Sequence, residues 1–118
     1  MKERKVEGEI TMEESKRLTP LVDCPVEKTI QLISNKWKVL IIRELLFEKR
    51  RFNELQRLIP GISPKVLTQN LKEMIEHELV AREVFPVSSP HVEYRLTDLG
   101  ETLRPILDSM AAWGEQHL

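Results

Sequence analysis

Two spacings of apolar residues follow one another in the middle of this chain. In residues 51–59 the apolar positions Phe52, Leu55, Leu58 and Ile59 recur three or four apart, as on one face of a helix. Pro60-Gly61 ends that run, because proline cannot continue a helix and glycine tolerates the turn. Ile62 is an apolar plug in the turn. Ser63 has the chemistry of an N-cap, and Pro64 suits the first helical position. Residues 64–78 read as a second helix whose buried stripe is Leu67, Leu71, Met74 and Ile75. Past Leu79 the period falls from about 3.6 to about 2. Residues 80–85 and 92–96 alternate like two half-buried strands, joined by a longer tip over 86–91.

The flanks extend this pattern. Residues 25–33 predict a helix with Val26, Ile30 and Ile33 on one face, and Ser34-Asn35 interrupts and re-caps the chain. Residues 36–47 predict a second helix with a broad apolar stripe of Trp37, Leu40, Ile41, Leu45 and Leu46, with Trp37 expected in the core. Thr97-Asp98 caps a last helix over 98–117. Leu99, Leu103, Ile106, Met110 and Trp113 form its stripe, widened by Leu107, Ala111, Gly114 and Leu118. That is more apolar width than packing on one small domain needs. Pro105 removes a backbone donor and should bend this helix. The fold class predicted is mainly α with a small β-hairpin, a winged helix-turn-helix over residues 21–118. Residues 1–20 are charged and poor in large apolar residues, like a flexible arm. Within them Thr11-Met12-Glu13-Glu14 fits a capping box opening a short helix, and a disordered tail fits equally well.

Composition changes this picture in one respect. The net charge of the 118 residues is only −1, so no global basic signature points to nucleic acid. The distribution is uneven: residues 36–72 hold nine basic residues against three acidic, and the remainder nine against sixteen. Ordinary surface charge and a local phosphate-binding face account for this equally well. No signal peptide and no long apolar run is present, so the chain is expected in the cytoplasm and not in a membrane. A single cysteine excludes an internal disulfide framework.

Candidate chemistry sits on the second helix of the central pair. Lys65, Gln69 and Lys72 fall opposite its buried stripe, with Thr68 at the edge, and the acids Glu73, Glu76 and Glu78 occupy the C-terminal half. In a helix-turn-helix this helix enters the major groove and its N-terminal half reaches base edges. Lysine can donate to guanine, glutamine can pair bidentately with adenine, and the threonine methyl can touch that of thymine. Lys65, Thr68, Gln69 and Lys72 are therefore the expected base contacts. Ser63, Lys36, Lys38, Arg50 and Arg51, with His91 and Arg95 from the hairpin, are the expected phosphate contacts. A cap and a solvated face explain Lys36 and Lys38 equally well. Support for catalysis is missing. His77, His91 and His117 lack metal spacing, Ala81 stands where a zinc-protease motif opened by His77-Glu78 needs its second histidine, and the glycines are scattered. Neither a cofactor nor a metal is expected.

The runs Cys24-Pro25-Val26-Glu27, Lys36-Trp37-Lys38, Arg51-Phe52-Asn53-Glu54-Leu55, Pro60-Gly61-Ile62-Ser63, Val66-Leu67-Thr68 and, from Val92 to Gly100, VEYRLTDLG occur in order. In these residues the chain resembles the HxlR-type family of bacterial transcriptional regulators, winged helix-turn-helix proteins related to the MarR group. The resemblance covers residues 24–118. It implies a homodimer binding double-stranded DNA at a pseudo-palindromic operator. N- and C-terminal helices would form the dimer interface, with Leu103, Ile106, Leu107, Met110 and Trp113 as its candidates. It also draws attention to Cys24, since some members use a cysteine at this place to sense oxidants or electrophiles. The predicted helix start and Lys28 favour a thiolate there and Asp23 opposes it, and a small buried residue at the dimer region is the simpler reading. The hairpin departs from the family pattern: His91 stands where a basic residue often precedes the Val-Glu-Tyr run. The alternative is a winged-helix module that docks proteins and not DNA.

Overall fold

The computed structural model describes residues 24–118; the arm expected over 1–20, with its short helix, lies outside them. Two units divide the chain, one ending at Ser34 and the other spanning Asn35–Leu118. In the first, helix α1 (Pro25–Leu32) begins at Cys24, whose carbonyl accepts the Lys28 N–H, and Thr29 donates its hydroxyl to the Pro25 carbonyl. It stops one residue short of the expected end, because Ile33 has left helical backbone. No residue of α1 is buried, and Val26 and Ile30 are exposed on it.

The second unit begins with α2 (Lys36–Phe47), started by Asn35, whose side-chain oxygen accepts the Lys38 N–H at 2.9 Å. There follow α3 (Phe52–Leu58), α4 (Pro64–Glu76), strands β1 (Val80–Phe85) and β2 (His91–Leu96), a single turn α5 (Asp98–Glu101), and α6 (Arg104–His117). The strands pair antiparallel in one register, Val80 opposite Leu96 and Phe85 opposite His91. Arg50 extends the sheet by one residue, exchanging two backbone hydrogen bonds with Tyr94. The core is Ile41, Ile42 and Leu45 of α2, Leu55 and Ile59 around α3, the Ile62 plug, Leu67, Leu71 and Met74 of α4, then Leu79, Val80, Leu96, Leu103 and Leu107. Burying one such side chain stabilises the fold by about 1.5–3 kcal/mol.

Several expectations are corrected. Helix α4 ends at Glu76 and not at 78, because the chain turns through a Schellman motif. Glu78 takes a left-handed φ of 62°, its N–H bonds the Ile75 carbonyl, and the Leu79 N–H bonds that of Met74. The last helix is two pieces. The chain leaves α5 after Glu101, and Pro105 stands in the first turn of α6, where its missing donor costs nothing, so it starts a helix where a bend was expected. Trp37 is only half-buried, its ring carrying the Lys36 ammonium 4.5 Å above the centroid, while Ile42 takes the core position. On α4 the buried polar residue is Asn70, and Ile75 is only half-buried. Strand β2 starts at His91, one residue earlier than expected.

Gly100 fixes how the C-terminal region meets the hairpin. A side-chain carbon there would lie 2.3 Å from the Leu79 carbonyl oxygen, closer than any residue but glycine permits. Thr97 completes the joint. Its hydroxyl accepts the Gly100 N–H and donates to the Glu78 carbonyl, and its N–H bonds the Leu79 carbonyl.

Candidate nucleic-acid interface

Helix α4 rests on the core through Leu67, Leu71 and Met74, so the opposite side of the same helix must face outward. Lys65, Thr68, Gln69 and Lys72 are all exposed there. Ser63 starts the helix, its hydroxyl oxygen accepting the Val66 N–H at 3.1 Å, which leaves its O–H able to donate. Gly61, with φ of 84°, makes the turn before it, and a side-chain carbon there would meet the Trp37 ring at 3.9 Å, the ring that carries the Lys36 ammonium. Arg51 is exposed at the start of α3, where its backbone N–H is bonded by Glu54 at 2.7 Å.

Behind α4 lie two links to α2. Asn35 donates to the Asn70 side-chain oxygen at 3.1 Å, and Asn70 donates back to the Val66 carbonyl at 2.8 Å. One turn further, the Lys38 ammonium meets Glu73, and the other Glu73 oxygen accepts from the Gln69 amide at 2.7 Å. The hydrogen bond from Lys38, with that from Gln69 after it, holds the Glu73 carboxyl below the usual carboxylate range. Lys38 is thus 4% exposed and committed to an internal ion pair, so its assignment as a phosphate contact is withdrawn.

Three further expected phosphate contacts, at and beside the hairpin, already have acidic partners. Arg50 is mostly buried, with its guanidinium 3.0 Å from Glu48 and 3.6 Å from Glu44, and it anchors the base of the hairpin. At the tip, His91 stacks on Phe85 at 4.8 Å and turns both ring nitrogens to oxygens of Ser89 and Glu93. That bond from His91 is the chief reason the Glu93 carboxyl sits below its usual range; burial opposes it, and Lys49 adds to it. Arg95 is paired with Glu83 at 3.1 Å and, by strand alternation, shares a face with Ala81, Glu83 and Glu93. Arg82 and Tyr94 lie opposite one another on the other face, and with Thr68, Lys72, Leu71, Phe52, Ile75 and Glu76 they line a cleft of about 280 Å³ between the hairpin and α4. Arg82 is therefore the hairpin cation beside the outward face of α4. Only the register of the two strands puts Arg82 and Arg95 on opposite faces, and only the packing shows which face meets the helix.

On α6 the proposed interface residues divide. Leu103 and Leu107, expected at the dimer interface, are buried in their own core and offer no surface to a partner, while Ile106, Met110 and Trp113 are 42%, 51% and 59% exposed along one stripe. Cys24 is half-buried at the start of α1, with no side-chain cap. Among the described residues no helix is long and apolar enough to cross a membrane, and no histidine, cysteine and carboxylate cluster could hold a metal ion.

A helix-turn-helix followed by a hairpin, with cationic and amide side chains on the outer face of its second helix, defines a winged-helix DNA-binding transcriptional regulator. Residues 32–118 match the family described as HxlR-like helix-turn-helix, and the chain belongs to that family. It is 41% identical over 107 residues to YybR, an uncharacterized HTH-type transcriptional regulator of Bacillus subtilis, covering 90% of this chain and 86% of that one. A transcriptional regulator of the MarR family from Porphyromonas gingivalis has a similar structure, with a TM-score of 0.76 and 42% identity over 81% of this chain and 94% of that one. The redox regulator HypR in its reduced form gives a TM-score of 0.74 and 42% identity, covering 78% and 91%. The family regulates transcription and is not a family of enzymes, and its relatives select DNA binding over the protein-docking alternative.

Proposed function

We propose that the protein works in the cytoplasm as a homodimer that binds a pseudo-palindromic operator, each α4 lying in one major groove. Half-site centres would stand about 34–36 Å apart, or a multiple of that. One observation carries this reading: Lys65, Thr68, Gln69 and Lys72 stand together on the exposed side of α4, which is fixed from behind by Leu67, Leu71 and Met74. These four would read bases. Ser63, Lys36 and Arg51, joined by Arg82 from the hairpin, would hold phosphates. Arg50, His91 and Arg95 would bind DNA only by giving up their present acidic partners. The exposed stripe of Ile106, Met110 and Trp113 supports self-association through α6.

The test is anisotropy on labelled operator and shuffled duplexes at two salt concentrations. Gln69→Ala should cost about 1–3 kcal/mol at one base pair and relax the preference there. If it weakened operator and shuffled DNA equally, α4 would not be reading bases through Gln69. Cys24 is the residue through which redox control, in the manner that HypR's description suggests, would act. Reaction with iodoacetamide no faster than free cysteine at neutral pH would remove that reading.

A further inference from the structure

Gln69, Glu73 and Lys38 form a chain that runs from the outward face of α4 to the buried side of α2. Gln69 is exposed, Glu73 half-buried and Lys38 buried. A carboxylate only accepts hydrogen bonds, so the Gln69 atom facing Glu73 must be its nitrogen and not its oxygen. That settles which way round the amide stands. One N–H is committed to Glu73, which leaves the carbonyl oxygen and the second N–H. This is the acceptor and donor pair that adenine matches with N6 and N7. An amide free to turn over would exchange its donor and acceptor, and would fit the reversed order just as well. Glu73 is itself held from the other side, its second oxygen taking the ammonium of Lys38, which is only 4% exposed.

We infer that Glu73, anchored by Lys38, is a positioning residue for base readout: it holds the Gln69 amide in the one orientation that accepts from N6 and donates to N7 of adenine. The inference rests on α4 being the helix that reads DNA. It assigns Glu73 and Lys38, neither facing the groove, a part in sequence choice. An acidic residue next to the DNA face, which should lower affinity by charge, is thereby accounted for: it trades some attraction for phosphates against orientation of an amide.

The experiment selects binding sites from a randomised duplex library with the full chain and its variants. Gln69→Ala identifies the position that Gln69 reads, as the one whose adenine preference disappears. At that same position Glu73→Gln should lower the adenine preference roughly tenfold. Its carbonyl still receives Lys38, but its new NH2 group faces Gln69 and turns that amide over. Preference at other positions and the salt slope should change little. With Gln69→Ala already present, Glu73→Gln should have no further effect on base choice. If Gln69→Ala erases a preference that Glu73→Gln leaves intact, Glu73 does not orient the amide, while α4 stays the reading helix. Should Gln69→Ala alter no position, the inference fails because Gln69 reads nothing, and that result reflects on the reading of α4 itself. A measurement on the unmodified protein guards against variants that do not fold. The Gln69 carboxamide, assigned by its absence in Gln69→Ala, should show one proton shifted downfield by the carboxylate. Two protons at the ordinary positions of an unbonded carboxamide, neither shifted downfield, would overturn the proposal.

Discussion

Helices α4 and α6 are built alike and finished differently. Each buries one face on the same small core, α4 through Leu67, Leu71 and Met74, α6 through Leu107 with Leu103 just before it. The outer face of α4 carries Lys65, Thr68, Gln69 and Lys72, while that of α6 carries Ile106, Met110 and Trp113. Helix α4 is also braced by side-chain bonds from Asn35 and Lys38. The difference shows what each outer face is suited to meet. A polyanion needs cations and amides held still, because its donors and acceptors are fixed in space. A second protein copy needs only apolar area of matching shape. The largest effects should separate inner from outer residues on α6. Leu107→Ala should lower unfolding free energy by about 2–5 kcal/mol, read by denaturant titration. Trp113→Glu should leave the fold of the monomer nearly unchanged and weaken self-association by about 2 kcal/mol or more, read by sedimentation. A Trp113→Glu chain that stayed dimeric would place the interface elsewhere.

The same comparison shows how much was legible beforehand. Local features read correctly: the stop at Pro60-Gly61, the Ile62 plug, the Ser63 cap and the alternation in the hairpin each depend on neighbours a few residues away. Width alone correctly suggested that α6 has apolar surface to spare. It could not divide the stripe, because Leu103 and Ile106 differ only in which side of the helix the core occupies. Lys38 misled for a related reason. Its partner Glu73 is 35 residues distant, and a lysine inside a basic stretch looks solvated until that partner appears beneath it. Asn70 was hidden in the same way, since its bond to Asn35 is equally long-range. Pro105 was ambiguous because a proline that bends a helix and one that begins a helix have the same local sequence.

The hairpin supplies the next sharpest contrast, between two arginines on opposite faces of one sheet. Arg82 borders the cleft with Thr68 and Lys72, whereas Arg95 is paired with Glu83 on the far side. Arg82→Ala should weaken operator and shuffled duplexes together and flatten the logarithmic salt slope by about one unit. Arg95→Ala should leave that slope unchanged within error. If Arg95→Ala flattened the slope and Arg82→Ala did not, the hairpin would approach DNA with its other face.

Acidity tests the brace that distinguishes α4. Glu73 has its carboxyl held below the ordinary value of 4.5 by Lys38 and Gln69. A carboxylate whose folded value is depressed adds stability above its unfolded value, and that stability is lost as pH falls through the folded one. The difference in unfolding midpoint between the native chain and Glu73→Gln should therefore be constant between about pH 6 and 8, and narrow in acid below about 4.5. A difference that changed across neutral pH would point to another titrating group.

The smallest effect lies where α4 ends. Glu78 holds a left-handed φ of 62° so that its own N–H and that of Leu79 can close the last turn. A side chain in that conformation costs about 1–2 kcal/mol, and glycine avoids the cost but loses about 0.5–1 kcal/mol through the greater freedom of its unfolded chain. Glu78→Gly should therefore gain about 0.5 kcal/mol, seen as a higher denaturant midpoint at an unchanged slope. The outer face of α4 should be unaffected, so operator affinity should stay the same at matched salt. A loss of stability would mean that the Glu78 side chain contributes more than its backbone costs. The end of α4 would then be held by that side chain as well as by the hydrogen-bonded turn.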